Sequence, residues 1–111
     1  MDTLNNYREI IEQLLTKISG YSRSSDTCEY RTLFDRKSDS YLFLRIGWEK
    51  NQRIHHAIIH LEIINGKVWI QENNTDLPIA DDLEEAGIPK TDIVLGFQHP
   101  SVRQYTDYAA A

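Results

Sequence analysis

The sequence predicts an α+β protein of two layers, an antiparallel four-stranded β-meander with helices packed on it. Three observations predict it. Leu4, Tyr7, Ile10, Ile11, Leu14, Leu15 and Ile18 recur at three- and four-residue spacing, which makes a wide apolar stripe on a helix. Between Tyr41 and Gln71 (YLFLRIGWEKNQRIHHAIIHLEIINGKVWIQ) apolar residues alternate with a period of two, as on half-buried strands. Asn65-Gly66 lies inside that stretch and favours the positive φ angles of a type I′ hairpin turn.

Taken in order, Asp2 or Thr3 caps the first helix and Gly20 ends it. Tyr21 to Thr27 (YSRSSDT) is a polar connector. Cys28 to Phe34 reads as a first strand, with Cys28, Tyr30 and Phe34 pointing one way; Asp35 to Ser40 is a turn by composition. In the next strand Leu42, Leu44, Ile46 and Trp48 share one face, and Tyr41, Phe43, Arg45 and Gly47 the other. Glu49 to Gln52 connects it to a third strand, where Ala57, Ile59, Leu61 and Ile63 alternate with His56, Ile58, His60 and Glu62. Val68, Trp69 and Ile70 carry the chain back as a fourth. Glu72 to Asp76 leaves the sheet, Asp76 caps a second helix and Pro78 sits in its first turn, where no intrahelical donor is needed. Ile79, Ala80, Leu83 and Ala86 form its buried face, and Gly87 with Ile88-Pro89 stops it. Asp92 to Phe97 (DIVLGF) is a short strand or extended segment. The tail from His99 has Tyr105 and Tyr108 spaced for a helical turn or an irregular wrap.

With 111 residues, the chain forms one domain spanning 1–111. A chain of that size buries roughly 65% of its unfolded surface, enough for a core without disulfides or metal. The content of 41% hydrophobic and 26% charged residues is that of a folded globular protein. A lone cysteine, Cys28, forms no internal disulfide and no cysteine-based zinc site, and is expected to be a small buried hydrophobe. A net charge of −5 argues against autonomous nucleic-acid binding, so nucleic acid is expected only as an indirect or weak partner. No apolar run approaches the ~18 residues of a membrane span, and the polar start MDTLNNYREI lacks the regions of a signal peptide. The expected location is the cytoplasm.

The segment PIADDLEEAGIPKTDIVLGFQHPSVRQYTDYA resembles the C-terminal signature of the fdxN-element excision controlling factor family, the XisI-like proteins of cyanobacteria. The resemblance extends through KVWIQENNTD and YLFLRIGWEKNQRIHHAIIHLEI to YREIIEQLL, and so covers essentially the whole chain. Gly47-Trp48, Lys67 to Gln71 and Arg103 to Asp107 are its most specific pieces. It implies a controlling role in programmed excision of a DNA element, beside a site-specific recombinase and a second small protein. It further implies that this second protein is a nuclease-fold partner encoded by a neighbouring gene. The family has no established catalytic residues, so the resemblance transfers none.

The residues themselves supply few candidates for chemistry. His56 and His60 would share a strand face but stand about 13 Å apart, too far for one metal ion, and His55 points to the other side. Asp35-Arg36-Lys37 matches half of a metal-dependent nuclease site but falls in a turn, where that chemistry wants a strand. There is no GxSxG, Walker or HExxH sequence. No catalytic residue, metal or cofactor is therefore assigned, and the chain is expected not to be an enzyme. Lys50, Arg53 and His55 form a candidate weak phosphate contact at one hairpin end, which keeps a direct DNA-binding accessory factor as the alternative reading.

Interface residues are more numerous. The helices suffice to cover about one sheet face, so Tyr41, Phe43, Ile58 and Trp69 are expected on the other, as a candidate protein interface. In the tail, Phe97, His99, Arg103, Tyr105 and Tyr108 combine aromatics with an arginine, the composition of interface hot spots; the other reading is that they wrap the sheet of their own domain. The expected function is that of a non-enzymatic adaptor that binds its partner and self-associates as a homo-oligomer.

Overall fold

The computed structural model describes residues 2–111. Helix α1 (Thr3–Gly20) precedes strands β1 (Cys28–Asp35), β2 (Ser40–Glu49), β3 (Gln52–Ile64) and β4 (Lys67–Asn73). Helix α2 (Ile79–Glu85), a 3-10 turn (Lys90–Asp92), β5 (Ile93–Leu95) and the short helix α3 (Pro100–Arg103) follow. One open sheet has the order β1-β2-β3-β4-β5. Its first four strands are the antiparallel meander, and Asp92 to Phe97 contributes β5, which pairs with β4 in parallel.

Helix α1 begins where the Asp2 carboxylate accepts a hydrogen bond from the Asn5 amide, 3.2 Å away. Its stripe sets Tyr7, Ile11, Leu15 and Ile18 against Phe43, Ile59, Leu61 and Ile70 in one core, which α2 joins through Ile79 and Leu83. Three polar ties fix the helix on the sheet. Arg8 holds Asp39 with two hydrogen bonds of 2.7 and 3.1 Å. Arg36 holds Glu12 with two of the same lengths, and the Tyr7 hydroxyl donates to Asp92 at 2.5 Å.

Two local expectations are corrected. Asp76 does not cap α2, which starts after Pro78 without a side-chain cap. Asn73 organises that corner instead: its amide nitrogen donates to the Leu77 carbonyl, and its oxygen accepts from the Thr75 amide and hydroxyl. Ala86 lies outside the core, because α2 is only seven residues long; Gly87, at φ +115°, turns Ile88 inward to take that place.

The larger correction concerns which sheet face the helices cover. Tyr41 and Phe43 are 0% and 2% exposed, beneath α1, and Ile58 is buried as well. None of the three lies on an open second face. The alternation within β2 is as expected, but a face is completed by neighbouring strands. Tyr41 and Phe43 pair with Leu61 and Ile59, continuing into Ile70 and Val68 of β4, which makes the contiguous apolar surface. Leu42 and Ile46 pair with His60 and His55, so their side remains mixed. A β-bulge sets the register: Phe43 pairs with Ile59 and Leu44 with Ala57, leaving Ile58 as the extra residue. Beyond it the faces exchange. Ala57 moves to the side of Leu44, and His55 joins His60, opposite His56.

Candidate interaction surface

The face turned away from α1 divides into two halves. Over β4 and β5 the chain covers itself. Arg103 of α3 lays its guanidinium over the Trp69 ring, 5.0 Å from the centroid, and is fixed there by hydrogen bonds to the Gln98 and Gly96 carbonyls. Gly96 permits the approach: a Cβ there would stand 2.6 Å from the Gln71 side chain and 3.1 Å from the Trp69 ring. Ala109 then donates to the Ile93 carbonyl along the outer side of β5, and Val94 is fully buried.

Tyr108 lies on the other side of β5, packed against the helix-side core. Its hydroxyl donates to Glu84 at 2.9 Å and its ring sits under the Lys90 ammonium. Burial, reinforced by that carboxylate, pushes its phenol up to about 12. Trp69, Arg103 and Tyr108 are thus spent on intramolecular contacts. His99 caps α3 by accepting from the Ser101 amide. Phe97 and Tyr105 remain outward, Tyr105 at 80% exposed.

Over β1 and β2 the sheet is less covered: Leu33 and Trp48 are exposed, and Leu42, Leu44 and Ile46 are half-buried between them. Leu33, 56% exposed, pairs across the strands with Leu42; Leu44 and Ile46 follow, and Trp48, 50% exposed, ends the row. Charged groups stand at its rim. Arg31 forms an ion pair with Glu29, and the Arg53 guanidinium stands 5.3 Å from the Trp48 ring centroid while donating to the Gly47 carbonyl. The sequence showed this row as one face of β2. Missing was the cross-strand register that leaves it open.

The phosphate candidates do not form a cluster of free cations. Arg53 lies on Trp48, Lys50 sits at φ +56° in the β2–β3 turn, and His55 faces outward from β3 opposite Ile46. His60 shares a hydrogen bond of 3.1 Å with Ser40. Among the described residues no three His, Cys, Asp or Glu side chains gather as metal ligands. The Asp35 carboxylate is engaged in its own turn, accepting from the Ser38 hydroxyl and the Lys37 and Ser38 amides, which holds it below the usual carboxylate range. Among the described residues no helix is long and apolar enough to cross a membrane.

A family model described as XisI protein matches residues 1–110. The chain belongs to the XisI family. Two solved structures share the fold. An XisI-like protein from Anabaena variabilis is 39% identical, with a TM-score of 0.94 over 97% of this chain and 99% of that one. The fdxN element excision controlling factor XisI from Anabaena variabilis is 45% identical, with a TM-score of 0.90 over 99% of this chain and 100% of that one. Comparison with curated proteins gives no match. The pieces that carried the XisI resemblance have structural roles here. Gly47 passes so close to β1 that a Cβ would stand 2.1 Å from the Thr27 carbonyl oxygen. Lys67 to Gln71 is the body of β4, and Arg103 is the clamp on Trp69.

Proposed function

We propose that this XisI-family chain is a non-enzymatic adaptor in the excision of a DNA element, acting through protein–protein contact. The family supports the excision setting, since a relative 45% identical over nearly the whole chain is an excision controlling factor. The contact mode rests on one observation: the open β1–β2 half of the sheet, with Leu33, Leu42, Leu44, Ile46 and Trp48 in a row. Burying such a row releases on the order of 25 cal/mol per Å² of apolar area. Of its rim charges, Arg31 already has Glu29, and Arg53, held on Trp48, is left for a carboxylate of the partner. The partner is the nuclease-fold protein of the neighbouring gene, and a second copy of the chain is the other surface able to close the row, giving a homo-oligomer in the cytoplasm.

Co-expression with the neighbouring gene product tests this reading. The wild-type chain should co-purify with that product. Leu44→Glu, which changes an outward side chain, should abolish co-purification while leaving the melting temperature within a few degrees. Failure of the wild type to co-purify, or equal recovery with the variant, would overturn the reading. Direct DNA binding predicts instead that the isolated chain binds element-end DNA with an affinity falling steeply between two salt concentrations.

A further inference from the structure

On the helix side, α1 stops short of the sheet's far end. There β1, β2 and β3 contribute one residue each to a transverse row of Tyr30, Arg45 and His56, set by the register that pairs Tyr30 with Arg45 and Arg45 with His56. A cavity of about 450 Å³ opens over this row, between the end of α1 and the Asn74–Leu77 loop. Tyr30, stacked on Phe43 with centroids 5.4 Å apart and nearly parallel rings, forms an aromatic floor, and Ile58 and Leu77 line the same space. Its volume lies in the range of sites for small organic molecules.

The polar groups around the cavity separate into those already used and those that are not. Ser22 donates to the Ile18 carbonyl, Asn74 to Ala57 and Glu72, and Thr75 to Asn73. Arg45 is different. Its Nε is buried and has no hydrogen-bond partner among the described residues, and it takes part in none of the ion pairs found there. A buried guanidinium donor without an acceptor costs free energy that an anion can recover. No carboxylate lines the cavity, although the chain carries 17 Asp and Glu residues. His56, which pairs with Arg45 across the strands, sets an imidazole beside it.

We infer that this cavity is a binding site for a small organic anion, a carboxylate carried on an aromatic or branched apolar body. The carboxylate accepts from the Arg45 guanidinium, with His56 beside it, and the apolar body lies on Tyr30 against Ile58 and Leu77. The site faces away from the open row of β1 and β2, so it is independent of the adaptor reading.

Calorimetric titration of the full chain with naphthalene-2-carboxylate, its neutral carboxamide and acetate tests the assignment. Naphthalene-2-carboxylate should bind saturably, and the carboxamide and acetate should each bind at least ~10-fold more weakly, since one lacks the charge and the other the apolar body. Arg45→Met should remove the preference for acid over amide without lowering the melting temperature, because the Nε it deletes had no partner. Equal binding of acid and amide overturns the proposal, as does an unchanged preference in Arg45→Met. Absence of saturable binding by naphthalene-2-carboxylate up to millimolar concentration also overturns it.

Discussion

Single residues show how tightly this fold is specified. At Gly47 a methyl group would meet the Thr27 oxygen at 2.1 Å and the Cys28 Cα at 2.6 Å, both of them backbone. Gly47→Ala should therefore push β1 and β2 apart and cost about 3 kcal/mol in urea unfolding; a loss below ~1 kcal/mol would contradict the contact. Asp39 accepts from Arg8 and from the Tyr41 hydroxyl, under the edge of α1. The hydrogen bond from Arg8, more than the one from Tyr41, holds its carboxyl below the usual range. The ionised form is thus favoured by folding, so its contribution is complete above the unfolded-state value near pH ~4 and fades as pH falls through the folded value. Asp39→Asn, which tolerates the φ of +53° at this position, should cost about 2 kcal/mol at pH 7, and the gap to wild type should shrink at pH 3. A gap equal at both pH values would contradict the ion pair. Tyr7 and Tyr41 carry the opposite sign: burial, then their carboxylate partners, push both phenols up to about 12. Their neutral forms are favoured by folding, so that contribution holds below pH ~10 and is lost between about 10 and 12. Stability in that window should fall less steeply in Tyr7→Phe than in wild type.

Elements were legible where one segment decides its own structure. The stripe from Leu4 to Ile18 contains its period, and α1 runs from Thr3 to Gly20. The Asn65-Gly66 pair takes φ values of +52° and +79°, the turn its chemistry calls for. Legibility failed where a second segment decides. The bulge at Ile58 is invisible in HAIIHLEII, because an extra residue shows only against its partner strand, and it reverses the sides of His55 and His56. Nor does β2 alone disclose that α1 takes the aromatic side rather than the leucine side. That choice follows from Ile59, Leu61, Val68 and Ile70 extending the aromatic side across three strands. Substitutions on the two sides should separate them. Ile11→Ala, in the contact between α1 and the sheet, should cost about 3 kcal/mol, whereas Leu33→Ala on the open row should stay within about 0.5 kcal/mol. Comparable losses in thermal or urea unfolding would show that the row is not free.

At the scale of the whole molecule, the helical layer closes most of one face and the tail closes part of the other. The sequence suggested an uncovered face from the number of helices, and named Tyr41, Phe43, Ile58 and Trp69 for it. The first three are core and Trp69 lies under Arg103, while the open place is held by exposed Leu33 and Trp48 with half-buried Leu42, Leu44 and Ile46 between them. The reason is geometric: Arg103 follows Trp69 by a loop, a helix and a parallel strand, and no local pattern predicts that the two meet. What remains open is the β1–β2 half of the sheet, and the adaptor reading depends on another protein closing it. Carbene footprinting of the chain, free and in complex with the neighbouring gene product, measures that closure most directly. The account predicts that labelling of Leu33, Leu44 and Trp48 falls severalfold in the complex while the outer side of α1 stays labelled. Undiminished labelling of those three residues in a complex that forms would contradict it.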